Sequence, residues 1–68
     1  MEFLFNLQRD LGCDKLKIEV SEREIMVRAN WSDREELKLL LDRAALEGSA
    51  ISTDKIIRRE MMQAAGKE

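Results

Sequence analysis

An α+β fold in the order α-β-β-α-α, with an antiparallel hairpin packed on helices, follows from three observations on this chain. The apolar residues between Lys15 and Trp31 alternate with polar ones. Those on either side recur at helical spacing, and the best-defined helical stretch begins with a capping residue and ends at a glycine. With 68 residues the chain is expected to be a single small domain spanning residues 1–68. A domain of this size buries a modest share of its unfolded surface, so its stability lies near the folding threshold.

The first element is expected over Glu2 to Leu11. Leu4, Leu7 and Leu11 share a helical stripe, Phe3 and Phe5 flank it, and Gly12 follows as a stop. Because aromatic residues favour strands, a short strand over Glu2 to Asn6 is the competing reading. From Lys15 the period changes to two. Leu16, Ile18 and Val20 form one face of a strand, and Ile25, Val27, Ala29 and Trp31 form the same face of a second. Ser21, Glu22 and Arg23 lie between them as a short turn, which makes an antiparallel hairpin.

Two strands alone are marginal in water, so a helix must cover their inner face. The stretch W-S-D-R-E-E-L-K-L-L-L-D-R-A-A-L-E-G supplies it. Ser32 with Glu35 makes a capping box, Leu37, Leu40, Leu41 and Ala44 form the covering stripe, and Gly48 ends the run. Lys38 with Asp42 and Arg43 with Glu47 fall at the i,i+4 spacing that supports a solvated helix. Leu39 and Leu46 fall outside the stripe and require another partner. A third helix starts at Ser52 or Thr53 with Asp54 in its first turn. Its inner stripe is Ile57, Met61, Ala64 and Ala65, while Ile56 lies apart and Met62 sits among Lys55, Arg58 and Arg59.

Composition narrows the function classes. Charged residues make up 38% of the chain, yet the net charge is only -2, so both signs are interspersed and no global pull toward nucleic acid or membrane results. One cysteine and no histidine leave neither an internal disulfide nor a Cys-His zinc site. The opening M-E-F-L-F-N-L is too short and too acidic for a secretory signal, and no apolar run reaches transmembrane length, so a cytoplasmic setting away from membranes is expected. Phosphate-loop and dinucleotide glycine patterns are missing, and no cofactor is expected. Cys13 is the one candidate nucleophile, activated by Lys15 or a helix end, but without an identifiable base the expectation is a protein with no catalytic residue.

From Glu24 onward the chain resembles the ribbon-helix-helix family of dimeric DNA-binding regulators, which includes many antitoxins. The resemblance spans residues 24–65 and is carried by E-I-M-V-R-A-N for the ribbon, D-R-E-E-L-K-L-L-L-D-R-A-A-L-E-G for the first helix and its loop glycine, and S-T-D-K-I-I-R-R for the start of the second helix. It implies that Met26, Arg28 and Asn30 enter the major groove, and that backbone amides near Ser52 and Thr53 clamp a phosphate. In the family the ribbon pairs with its twin from another subunit, whereas here the stretch from Lys15 to Val20 is already tethered beside it.

The leading expectation is therefore a non-enzymatic protein-protein interaction module, a small regulator or inhibitor that works as a homodimer. Its contact residues are Leu39, Leu46, Ile56 and Met62, with Arg58 and Arg59 as the charged complement. A DNA-binding regulator using Arg28 and Asn30 is the second expectation.

Overall fold

The computed structural model describes residues 2–67, and its class is α+β. Helix α1 (Glu2–Leu11) leads into a hairpin of β1 (Lys15–Val20) and β2 (Glu24–Asn30). A third strand β3 (Leu37–Asp42), a short helix α2 (Arg43–Glu47) and helix α3 (Thr53–Ala64) complete the chain. The expected sequence of helix, hairpin and two helices is present, with one additional strand inserted after the hairpin. The sheet order is β1-β2-β3, antiparallel throughout.

Glu2 to Asn6 is helical, not a strand. Leu7 and Leu11 are completely buried, which ties the first helix to the core through the expected stripe. Gly12 adopts φ 69°, a left-handed conformation that glycine enters without a Cβ penalty, and its N–H closes the helix onto the carbonyls of Gln8 and Arg9. The indole N–H of Trp31 donates to the Leu11 carbonyl at 3.3 Å, so the end of β2 is fastened to the end of α1. At the hairpin turn, Ser21 donates its hydroxyl to the Glu24 carbonyl and accepts from the Glu24 N–H.

The region from Ser32 to Asp42 departs from the helical expectation. Residues 32–36 form an irregular connection, and Leu37–Asp42 is a strand whose Leu37, Leu39 and Leu41 stand opposite Ala29, Val27 and Ile25. The cause is tertiary. A helix over this segment would leave the second edge of β2 unpaired, whereas a strand satisfies that edge with a ladder and turns three leucines inward at once. The same run, L-K-L-L-L-D, fits both periods; sheet completion selects two. Asp42, expected inside a helix, instead caps α2 by accepting from the Ala44 N–H at 2.9 Å.

The core joins Leu7 and Leu11 of α1, Ile25, Val27 and Ala29 of β2, Leu46 of α2, and Ile56, Ile57 and Met61 of α3, with Cys13 and Ala65 at its margins. Ala64, expected in the inner stripe of the last helix, is exposed. All three helices lie on the face of the sheet that carries Leu16, Ile18, Val27 and Leu39. Among the described residues the opposite face carries no helix.

Candidate interaction face

Strand alternation determines what that open face displays. Beside the inward Ile25, Val27 and Ala29, β2 turns Glu24, Met26, Arg28 and Asn30 outward, and the register places their neighbours on the flanking strands. Arg28 stands between Lys17 of β1 and Lys38 of β3. Met26 stands between Glu19 and Leu40, Glu24 lies opposite Asp42, and Asn30 lies opposite Lys15. The face is therefore graded, with basic residues toward one end, carboxylates at the other and two apolar side chains between them.

Three cations directly opposite one another across adjacent strands repel, an arrangement that sheet stability does not favour. One carboxylate moderates it: Glu19 Oε1 lies 3.7 Å from Lys17 Nζ and 4.0 Å from Arg28 Nε. The second distance is too long for a hydrogen bond, and Arg28 Nε is a solvent-inaccessible donor with no partner among the described residues. With one carboxylate beside three cations, the row keeps an excess of positive charge, which suits an anionic group. Beside the row Leu40 is 58% exposed, and with Met26 it gives the face an apolar element.

The residues expected to bind a partner are distributed differently. Leu46 and Ile56 are core residues, and Leu39 and Met62 pack against that core while remaining half-buried. The helical wheel had placed Leu39 outward, but in β3 it faces inward opposite Val27. Ile56 is enclosed in the core cluster, on a helix that contacts α1, α2 and β3. Arg58 is engaged with Asp10 of α1, which joins the two longer helices, and Arg59 leans on Glu60 at 3.8 Å, so the expected basic cluster on α3 is divided between separate pairs.

Of the residues assigned to DNA contact, Met26, Arg28 and Asn30 do share one exposed face, while Ser52 and Thr53 lie at the start of α3. Ser52 occupies the N-cap position without a side-chain capping bond. The segment E-I-M-V-R-A-N is the middle strand, hydrogen-bonded on both sides, so it has no edge with which to pair with a twin. Lys17, Lys38 and Leu40 belong to the face but were absent from the sequence-derived site. Reading L-K-L-L-L-D with a period of two would have found the last two.

Two groups on the covered side bear on chemistry. Cys13 is buried, and burial pushes its thiol pKa up, which disfavours the thiolate needed for nucleophilic attack. Asp10 has its carboxyl held below the usual range by the hydrogen bond from Arg58, assisted by Arg9. No helix among the described residues is long and apolar enough to cross a membrane. No protein-family model matches this chain, and comparison with characterised proteins and with solved structures likewise returns no match.

Proposed function

We propose that this chain is a non-enzymatic protein-protein interaction module, a small regulator that works as a homodimer and receives an acidic partner on the open face of its sheet. The observation that carries this reading is the Lys17, Arg28 and Lys38 row, beside Met26 and Leu40. An apolar patch next to a row of three cations that Glu19 neutralises only in part is complementary to a protein surface that offers a leucine or phenylalanine among carboxylates. The buried thiol and its raised pKa support a role for Cys13 in packing rather than catalysis.

Nucleic acid is the second reading, favoured by the position of Arg28 and Asn30 on the same face as Lys15, Lys17 and Lys38. It ranks lower because Glu19, Glu24 and Asp42 share that face and would repel a phosphate backbone.

Amide-shift mapping by NMR separates the two. The labelled chain is titrated with an acidic peptide of mixed Glu and Leu, and separately with a random DNA duplex, at about 0.15 M salt where weak charge attraction is screened. Peptide-induced shifts clustered at Met26, Arg28, Lys38 and Leu40, lost in Arg28→Glu, are the expected result. Tighter binding of the duplex, weakening steeply with salt, would replace the protein reading with the nucleic-acid one.

A further inference from the structure

Among the described residues both outer strands of the sheet have a free edge, and the edge of β1 carries alternating charge. The Ser21 N–H donates to the Glu24 carbonyl at 2.9 Å, so antiparallel alternation turns the backbone groups of Glu19, Lys17 and Lys15 toward β2. Those of Leu16, Ile18 and Val20 point away from the sheet. Unpaired groups of this kind form a template for another strand.

We infer that the occupant is a second copy of this chain, docked antiparallel along β1 about a two-fold axis at Ile18, so that two three-stranded sheets become one continuous sheet. In this register the outward backbone groups of Ile18 bond to those of the partner's Ile18, and those of Leu16 bond to those of the partner's Val20. Charge selects it. Lys17 then faces the partner's Glu19, and Glu19 faces the partner's Lys17, whereas moving the axis to Lys17 would set that lysine against its own copy. Lysine on an edge strand commonly discourages pairing, but a glutamate two residues on makes this edge complementary to itself.

The surroundings of β1 are apolar on the covered side. Val20 is 63% exposed and lines an open groove of ≈ 570 Å³ together with Phe3, Leu4, Ile18, Ile25 and Ile57, with Glu2, Thr53 and Asp54 as its polar members. Gln8 of α1 reaches the Asp14 carbonyl just ahead of β1, and Phe5, one turn earlier on that flank of the helix, is 68% exposed. A second copy on β1 would bring its own Leu16, Val20 and Phe5 to this strip. The β3 edge permits a similar self-pairing about Leu40, with Lys38 facing the partner's Asp42, but its flank is the more densely charged, with Glu22, Arg23, Arg43 and Glu47 around Leu40, Leu41 and Ala44.

This inference deepens the homodimeric part of the proposed function and rests on it. Its test is sedimentation equilibrium on the full chain from low to high micromolar concentration, with amide hydrogen exchange read in parallel. The expected result is a dimer in which exchange at Leu16, Ile18 and Val20 slows as concentration rises. Lys17→Glu should weaken association by roughly tenfold or more, since it turns two attractive pairs into repulsive ones, and the double variant Lys17→Glu/Glu19→Lys should restore it. Circular dichroism identifies any variant that has lost its fold, and the exchange data on the unaltered chain stand independently of the variants. A strict monomer at every concentration would overturn both the interface and the dimeric reading. A dimer insensitive to Lys17→Glu but weakened by Lys38→Glu would overturn the β1 interface alone and move it to β3.

Discussion

The two faces of the sheet are made by the same strands from alternate residues, and they have opposite tasks. On the covered face Val27 and Ala29 are completely buried beneath three helices; on the other, Met26 and Arg28 are only half-covered by their neighbours. The first face holds the fold together. The second contributes less burial and places like charges opposite one another, an arrangement that sheet stability does not favour.

Identical substitutions on the two sides give the largest contrast. Met61→Ala should destabilise by about 2–5 kcal/mol, because a completely buried side chain leaves a cavity. A chain of 68 residues, at roughly 0.05–0.15 kcal/mol of stability per residue, has about 3–10 kcal/mol in all, so this one loss takes a large share of it. Met26→Ala, by contrast, should cost about 1 kcal/mol or less. Urea unfolding monitored by circular dichroism measures both, and equal losses would show that the outer face is also covered.

Adjacent residues sharpen the comparison further. Leu39→Ala should cost roughly 1–3 kcal/mol through lost burial, whereas Leu40→Thr should be nearly neutral or slightly stabilising, since an exposed strand position favours a β-branched residue. The helical arrangement of this segment predicts the reverse order. A pair of unfolding curves therefore decides between the two periods.

That segment also shows where the sequence was legible and where it was not. The hairpin is readable because Leu16 to Val20 and Ile25 to Ala29 fit only one period, and α1 and α3 because their boundaries are marked, although the arc that α3 buries takes in Ile56 and leaves Ala64 exposed. Between Ser32 and Asp42 most local cues favour a helix: a capping box, acidic residues in the first turn, and leucines at positions 37, 40 and 41, with Leu39 as the exception. What overruled them was a non-local demand, the unpaired edge of β2, which no window of sequence contains. The same demand hid the site. Leu39, conspicuous as a misfit on the helix, is the residue that the sheet turns inward, and Leu40, which looked like core, is exposed. Arg28 and Asn30 were located on their correct face because their strand was, but their cationic neighbours come from two other strands and become neighbours only through the register.

A smaller effect is expected from the cationic row itself. Lys38→Glu replaces one of two like-charge contacts to Arg28 with an attractive one, and should stabilise the fold by about 0.2–1 kcal/mol at low ionic strength. The gain should shrink as salt is added, because the row is accessible to solvent. Thermal unfolding at low and high salt measures it, and a destabilised variant would mean that the row is already neutralised by something on the open face.

The smallest effect lies between the helices that cover the other face. Arg58 of α3, and secondarily Arg9, hold the Asp10 carboxyl below its ordinary range, so the folded chain gives up this proton more readily than the unfolded one. The resulting contribution is complete above the unfolded carboxylate value near 3.8 and disappears as pH falls through the lower folded value. Asp10→Asn lacks it at every pH. The variant should be slightly the less stable at neutral pH, and the difference should close on acidification below about pH 4. Hydrogen exchange on both proteins should place the early acid loosening at the contact between α1 and α3, while the register of the three strands persists. If the first amides to open are instead those of β3, the helices and not the strands are the firmer half, and the open face would depend for its shape on a partner.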